Sequence, residues 1–344
     1  MKKFILLLLS VAVLLTACGQ QKSAAQPETP DADRLEIVVT IFPAYDFARA
    51  VAGELADVKM LLPPGTESHS YEPTPADILA VQTCDLFIYL GGESDTWVET
   101  ILSAVELQGE TLRMVDCVPL LEEEHVEGMQ EAPGHDHEHG EECHDHDHAH
   151  EEEEAHDAHE SVGLGQVIGM DEHVWTAPAN AAEITRKIGE HLAELEPENS
   201  ADYLRNADAY AGEIEQLDAA FEDFFDGLPD RTIVFGDRFP LRYFAEAYDL
   251  DYYAAFPGCG TQTEPSAATI AFLVEKVRQE EIPTVWYIEF SNHLVADGVA
   301  EAAGVGTAMF HTCHNVSRAE IDAGATYCSL MEENLRTLQS YMAK

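Results

Sequence analysis

Residues 199–228, "NSADYLRNADAYAGEIEQLDAAFEDFFDGL", form one long amphipathic stretch in the 344-residue chain. Its apolar side chains recur every three or four positions, as on one face of an α-helix. They are Leu204, Ala207, Ala211, Ile214, Leu217, Phe221, Phe224 and Leu228. Asn199 or Ser200 can cap the start, and Gly227 and Pro229 end the pattern. The stretch therefore predicts a single long helix that joins its two flanks.

Both flanks alternate short apolar runs with amphipathic segments. Upstream the runs are "LEIVV", "DVKMLLP", "DLFIYLGG" and "TLRMVDC", and downstream they are "RTIVFGD", "LDYYAAF", "TVWYIEF" and "GTAMFH". Alternating strands and helices predict mostly parallel sheets with helices on both faces. We therefore expect an α/β protein of two lobes, with any ligand outside the carboxyl ends of the strands.

The N-terminus, "MKKFILLLLSVAVLLTA", joins two lysines to an apolar run that is too short to cross a bilayer. This composition is typical of a secretory signal peptide over residues 1–17. Small residues before Cys18, with Gly19 after it, resemble a bacterial lipobox, which would make Cys18 the lipidated first residue of the mature protein. Residues 18–33 then form a flexible tether. We expect an extracytoplasmic protein that is anchored to the bacterial cell membrane by lipid.

The chain carries 65 acidic and 18 basic residues, a formal net charge of −47. This charge argues against a nucleic-acid partner, because binding phosphates requires lysine and arginine, and it favours cations. Ten of the 16 histidines lie in an acidic insert at residues 122–160, which contains "GHDHEHGEECHDHDHAHEEEEAHDAHE". The insert has no periodicity and few apolar residues, so we predict a mobile loop.

Two of the other histidines occur where a cleft is expected. His69 lies in the turn "PPGTESHSYEPTP", which follows the predicted strand "VKMLL". His173 lies in "GMDEHVWTAP", where Asp171 and Glu172 can orient its imidazole. Both residues are candidates for metal ligands, whereas His191 in "RKIGEHLAEL" fits an ordinary helix surface.

Several of these segments carry a resemblance. "IFPAYDFARAVAG", "LLPPGTESHSYEPTPADI", "DLFIYLGGESDTWVE", "DEHVWTAP" and "GATYCSLMEENL", with the histidine-rich loop, resemble the zinc and manganese solute-binding lipoproteins of ABC importers. The resemblance spans essentially the whole mature chain. It implies two α/β lobes bridged by a rigid backbone helix, with one metal ion in the cleft between them. It also implies a monomer that delivers the metal to an ABC permease and its ATPase subunit.

The resemblance implies that His69 and His173 are the first two metal ligands. The third ligand of the family is a histidine or glutamate, but the matching position here is Arg238 in "VFGDRFPLRYF". Arginine cannot ligate a metal. Asp237 or Glu289 is therefore expected to supply a carboxylate from the second lobe.

Counting back from "GATYCSLMEENL" places the family's fourth ligand at His311 in "FHTCHNVS", with His314 as the alternative. The resulting site is rich in imidazole, which favours zinc, whereas manganese prefers oxygen ligands. Manganese, copper and nickel remain alternatives. In the family, histidine-rich loops accompany zinc sites.

The sequence divides into five expected regions: a signal peptide (1–17), a lipidated tether (18–33), an N-terminal lobe (34–177) with the insert at 122–160, a linking helical region (178–229) and a C-terminal lobe (230–344). The insert is expected to collect zinc near the cleft. The alternatives are a solubilising insert, or a sensor that releases zinc as its imidazoles become protonated.

We expect the chain to be a zinc receptor and not an enzyme. One alternative is a manganese receptor of the same kind, and another is a surface metal chaperone or adhesin. A zinc hydrolase with Glu289 as its base is a distant alternative, because no His-Glu-x-x-His motif is present. The sequence also has no Gly-x-x-x-x-Gly-Lys-Ser/Thr loop, so ATP hydrolysis would belong to a partner.

Overall fold

Strands and helices alternate on both sides of residues 199–228 in the structure, a computed structural model that describes residues 34–66, 71–92, 95–129, 169–258 and 264–342. The predicted signal peptide, Cys18 with its tether, His69 and most of the insert lie outside the described residues. Within the described ranges, no helix is both long enough and apolar enough to cross a membrane.

The N-terminal lobe is built on four strands, β1 (Leu35–Val39), β2 (Ala56–Met60), β3 (Leu86–Tyr89) and β4 (Glu110–Arg113). All are parallel, in the order β2-β1-β3-β4. Helices α1 (Phe42–Ala52), α2 (Pro75–Thr83) and α3 (Thr96–Ala104) follow the first three strands. Thr74 and Asp77 form a capping box that fixes the start of α2.

Two helices then lead to the second lobe, α4 (Pro178–Leu195) and α5 (Ser200–Asp226). Helix α5 matches the predicted long helix, and its 27 residues span about 40 Å. The two helices pack closely at Gly189, where an added Cβ would lie 2.5 Å from the Cβ of Ala207.

The buried face of α5 differs from the predicted one at both ends. Tyr203 and Phe225 are buried, whereas Leu204 is 41% exposed and Phe224 is only partly buried. At the start of the helix, the hydroxyl of Tyr203 also donates a hydrogen bond to Glu196. The apolar stripe therefore begins one residue earlier than the sequence pattern predicts.

The C-terminal lobe repeats the topology of the first. Its strands are β5 (Ile233–Phe239), β6 (Tyr252–Pro257), β7 (Thr284–Ile288) and β8 (Gly306–Phe310), which are parallel in the order β6-β5-β7-β8. The helices of this lobe are α6 (Arg242–Ala247), α7 (Ala267–Gln279), α8 (Leu294–Ala303), α9 (Arg318–Asp322) and α10 (Tyr327–Met342). The predicted pair of parallel α/β lobes is therefore confirmed.

Hydrogen bonds attach α5 to both lobes. In the N-terminal lobe, Tyr210 donates from its hydroxyl to Asp46 of α1. Asn206 donates from Nδ2 to the carbonyl of Val51 at 3.0 Å. In the C-terminal lobe, the Tyr248 hydroxyl donates to Oδ1 of Asp218 at 2.6 Å. The helix is thus held at several points along its length.

An aromatic cluster joins α5 to the second sheet. The ring of Phe244, which is fully buried, has its centre 5.2 Å from Phe221, 4.7 Å from Tyr248 and 5.1 Å from Phe310. These edge-on contacts add to the apolar area that the rings bury. The cluster fixes the C-terminal lobe against the linking helix.

We predict that Phe244→Ala lowers the free energy of unfolding by about 3–5 kcal/mol, because it leaves a cavity among packed rings. Urea denaturation followed by tryptophan fluorescence measures the change. Leu204→Ala, at a position that is 41% exposed on α5, is the matched control and should change stability little. Equal effects of the two substitutions would contradict the packing role of Phe244.

Candidate metal centre

A small cavity of about 40 Å³ lies where segments of the two lobes meet. Its lining comes from residues that follow strands of both sheets, where parallel α/β sheets bind ligands. The lining residues are Thr66, His173, Arg238, Pro240, Gly258, Ile288, Glu289, Phe290, Thr312, His314 and Asn315. Two of the candidate histidines therefore share this cavity.

His173 is only 1% exposed and precedes a short 3-10 helix at Val174–Thr176. Oδ1 of Asp171 accepts a hydrogen bond from the His173 backbone N–H at 2.8 Å and lies 3.1 Å from Nδ1 of the ring. With Asp171 ionised, the proton stays on Nδ1 and Nε2 is available to a metal. The predicted orienting role of Asp171 matches this geometry.

Burial opposes protonation of His173, but the negative charges of Asp171, Glu172 and Glu123 outweigh burial and raise the pKa of the imidazole. Carboxylates that favour the imidazolium form also favour a metal cation at the same position. The electrostatics around His173 therefore suit a positively charged ligand.

His314 lies beside His173. Their ring centres are 5.9 Å apart and nearly perpendicular, and the His314 ring is 5.1 Å from that of Trp175. The carbonyl of His314 accepts a hydrogen bond from the backbone N–H of Phe42 in the N-terminal lobe, at 3.2 Å. The loop after β8 thus reaches the first lobe and brings its second histidine to the cavity.

Further hydrogen bonds hold this loop against the N-terminal lobe. Nδ2 of Asn315 donates to the carbonyls of Pro63 and Thr66, both at 2.8 Å. The indole N–H of Trp175 donates to the carbonyl of Thr312 at 2.9 Å. The position of His314 relative to His173 is therefore fixed by contacts between the lobes.

The structure does not place His311 among the residues that line the cavity. His311 is 4% exposed, and its Nδ1 accepts the backbone N–H of Cys313 at 3.0 Å. Its Nε2 lies 3.6 Å from Oε1 of Glu320. Burial lowers the pKa of His311, but the charges of Glu289 and Glu320 outweigh burial and raise it. The contacts of His311 with Cys313 and Glu320 therefore lie within the C-terminal lobe.

The backbone conformation of Cys313 explains why His311 and His314 point in different directions. Its backbone is left-handed, with φ of 62°, which is unusual for a residue other than glycine. The chain therefore turns sharply between His311 and His314. Counting along the sequence identifies the loop but cannot determine which of its histidines faces the cavity.

The two candidate carboxylates have different positions. Glu289 lines the cavity, is 8% exposed and accepts hydrogen bonds from N (2.7 Å) and Oγ1 (2.6 Å) of Thr312. Asp237 lines a neighbouring cavity of about 220 Å³. It accepts the backbone N–H groups of Arg238 at 2.9 Å and Ile288 at 3.5 Å. Both carboxylates are already hydrogen-bonded to their own lobe.

His69 lies outside the described residues. Thr66, three positions earlier, lines the cavity, and three residues of chain reach at most about 10 Å. Within the described part of the chain, no three histidine, cysteine, aspartate or glutamate side chains form a group that could hold a metal ion.

The chain segments on either side of the insert meet next to His173. Glu122 and Met170 form an antiparallel bridge, and the N–H of Asp171 donates to the carbonyl of Leu121 at 2.9 Å. The hydroxyl of Tyr243 accepts the N–H of Leu121 at 3.1 Å and donates to the carbonyl of Asp171 at 2.8 Å. No pattern in the sequence indicates this role for Tyr243.

A family described as zinc-uptake complex component A, periplasmic, matches residues 37–341. Zinc-binding lipoprotein AdcA of Streptococcus pneumoniae (strain ATCC BAA-255 / R6) is 30% identical over 341 residues, which cover 98% of this chain and 61% of that protein. High-affinity zinc uptake system protein ZnuA of Bacillus subtilis (strain 168) is 27% identical over 327 residues, which cover 95% of this chain and 93% of that protein. The chain thus spans less than two thirds of the streptococcal relative.

The fold is also found among solved structures. The crystal structure of the Zn(II)-bound ZnuA-like domain of Streptococcus pneumoniae AdcA superposes with a TM-score of 0.68 at 26% identity. The match covers 90% of this chain and 100% of that domain. This likeness agrees with the two parallel α/β lobes described above.

If His314 is a direct ligand, we predict that His314→Ala weakens zinc binding by more than the 10- to 100-fold that is typical of losing an outer-sphere contact. His311→Ala, the matched control in the same loop, should have a smaller effect. Competition with a chromogenic chelator measures both affinities. A larger loss in His311→Ala than in His314→Ala would contradict our assignment.

Proposed function

We propose that this chain, which belongs to the family of zinc-uptake complex component A periplasmic proteins, is an extracytoplasmic zinc receptor that delivers its metal to an ABC importer. The observation that carries the proposal is the pair of imidazoles, His173 and His314, on the wall of one cavity between two lobes. The zinc-binding relatives support the choice of metal.

The spacing of the two rings suits a shared ion. With Zn–N bonds of about 2.0–2.1 Å and tetrahedral angles, two imidazoles on one zinc have ring centres about 5 Å apart. The centres of His173 and His314 are 5.9 Å apart, so a shift of less than about 1 Å closes the difference. We propose His69 as the third ligand, because its segment follows Thr66 at the cavity wall.

This donor set favours zinc over manganese. Imidazole nitrogen is a common ligand of zinc, whereas manganese prefers sites dominated by oxygen. Glu289 and Asp237, the carboxylates expected to take part, already accept hydrogen bonds from their own lobe. We therefore propose that Glu289 positions the His314 loop through Thr312 rather than ligating the metal.

The same geometry argues against catalysis by the bound metal. A hydrolytic zinc site needs a base beside the metal-bound water. Glu289 is the acid considered for that role, and its carboxylate oxygens accept the two hydrogen bonds of Thr312. We propose that zinc is cargo here and that the protein is not an enzyme.

We also propose that lipid on Cys18 tethers a monomeric receptor to the outer face of the cytoplasmic membrane. The lipobox-like sequence and the lipoprotein name of the streptococcal relative support this anchor. An ABC permease with its ATPase subunit would then receive the metal, since the sequence contains no phosphate-binding loop.

The histidine-rich insert is proposed to collect zinc for the cavity. Glu122, its first residue, forms a bridge with Met170, which lies three residues before His173. Ions bound weakly by its histidines would therefore be held close to the cavity. The root of the insert, residues 122–129 and 169–171, belongs to the folded lobe and should be kept in any variant.

We predict that replacing residues 130–168 with a glycine-serine linker lowers the number of bound zinc ions and leaves one tight site, because His173 and His314 remain. Isothermal titration calorimetry with zinc and with manganese measures the number of sites and their affinities. A variant of the same length, with the insert histidines changed to asparagine, separates lost ligands from a shortened chain. Loss of every tight site in both variants would place the receptor site in the insert and refute the cavity assignment.

A further inference from the structure

Asp171, the residue that orients His173, is held by the C-terminal lobe as well as by its own. Its backbone N–H donates to the carbonyl of Leu121 in the N-terminal lobe at 2.9 Å. Its carbonyl accepts a hydrogen bond from the hydroxyl of Tyr243, in α6 of the C-terminal lobe, at 2.8 Å. Both Asp171 and Tyr243 are buried. The main chain of Asp171 is therefore fixed on both sides, once by each lobe.

The carboxylate of Asp171 lies between His173 and the C-terminal lobe. Its Oδ1 is 3.1 Å from Nδ1 of the His173 ring and accepts the His173 backbone N–H at 2.8 Å. On the other side, a Cβ added to Gly258, the residue after β6, would lie 3.4 Å from Oδ2. With the main chain also fixed, the carboxylate has little room to turn.

The hydroxyl of Tyr243 is itself held firmly in place. The next residue, Phe244, packs edge-on against Phe221 of α5 and Phe310 of β8, with ring centres 5.2 Å and 5.1 Å away. The hydroxyl also accepts the backbone N–H of Leu121 at 3.1 Å. A tyrosine hydroxyl has one hydrogen to donate, and here it goes to Asp171. Tyr243 therefore gives Asp171 a fixed point of attachment.

We propose that Tyr243 is a positioning residue for the metal ligand His173 and that it acts through Asp171. The hydroxyl fixes the main chain of Asp171, the carboxylate keeps the imidazole proton on Nδ1, and Nε2 stays available to the metal. Groups outside the coordination sphere set the orientation and tautomer of a histidine ligand in this way. The inference rests on the proposed function, because it takes His173 as a ligand, and it deepens that function.

The two halves of the site then depend on each other. His314 belongs to the C-terminal lobe, and the bonds of its neighbour Asn315 to Pro63 and Thr66 attach it to the N-terminal lobe. His173 precedes the linking helices, and the bond from Tyr243 to Asp171 supports it from the C-terminal lobe. Each lobe thus positions the histidine that the other lobe contributes.

The first experiment compares the zinc affinity of two tyrosine variants of the full chain by competition with a chromogenic chelator. Tyr243→Phe keeps the ring and removes only the hydroxyl. We expect it to weaken zinc binding by about 10-fold, the lower end of the range for outer-sphere partners, because Tyr243 acts through Asp171. Tyr248→Phe is the matched control. It removes a buried residue's hydroxyl that bonds instead to Asp218 of α5 at 2.6 Å, and it should leave the zinc affinity unchanged.

A second measurement reports on His173 without any metal. Nitrogen-15 NMR of the zinc-free protein distinguishes an imidazole with its proton on Nδ1 from one with its proton on Nε2, and the His173 signals are those that disappear in His173→Gln. At a pH where the ring is neutral, we expect the Nδ1–H form in the parent protein and in Tyr248→Phe. Tyr243→Phe should show a mixture of the two forms. A lower stability alone would not produce this mixture in folded protein.

A double-mutant cycle tests whether Tyr243 acts through Asp171. Asp171→Ala removes the carboxylate and should weaken zinc binding by about 10- to 100-fold. Adding Tyr243→Phe should then cost little more, because the group that it positions is gone. Two independent substitutions would instead multiply their effects. Circular dichroism checks that each variant is folded.

The results separate the two proposals. An unchanged zinc affinity or an unchanged His173 tautomer in Tyr243→Phe would overturn the positioning role and leave the receptor function intact. Equal losses of affinity in Tyr243→Phe and Tyr248→Phe would overturn it as well, because both would then reflect stability. Multiplied losses in the double variant would show that Tyr243 does not act through Asp171. Absence of a tight zinc site in the parent protein would refute the receptor function, and the tautomer measurement would still decide whether Tyr243 orients His173.

Discussion

The buried side chain of Asn315 connects the two lobes at the candidate metal centre. Its amide nitrogen donates to the carbonyls of Pro63 and Thr66, and its oxygen accepts the N–H of Val316 at 2.8 Å. Removing a buried amide would leave these groups without partners, which costs more than one hydrogen bond normally contributes. His314 precedes Asn315 in the chain, so the closeness of the two imidazoles depends on this contact.

Much of the fold could be predicted from the sequence because its signals are local. Alternating apolar runs and amphipathic segments indicated two parallel α/β lobes, and the spacing within residues 199–228 indicated the long helix. His173 was identified as a candidate because Asp171 lies two positions away and can bond to its ring. In each case the deciding residues are neighbours in the chain.

The remaining features depend on contacts between distant residues. The left-handed backbone at Cys313 brings His314 to the cavity wall. The amino-acid sequence does not predict that turn. Glu289 accepts two hydrogen bonds from Thr312, which lies 23 positions away in the chain. Tyr243 bonds to Leu121 and Asp171, on either side of the insert, across more than 70 positions. Such long-range hydrogen bonds cannot be predicted from sequence spacing alone.

The hydrogen bonds around His173 and His314 have a consequence for exchange kinetics. The indole of Trp175 donates to Thr312, and Asn315 donates to the N-terminal lobe, so both imidazoles belong to one unit. Separating the lobes elsewhere would not pull the two imidazoles apart. A metal ion held by both rings, as proposed above, would therefore leave by ligand substitution rather than by hinge opening. Its residence time would then depend on incoming donor groups.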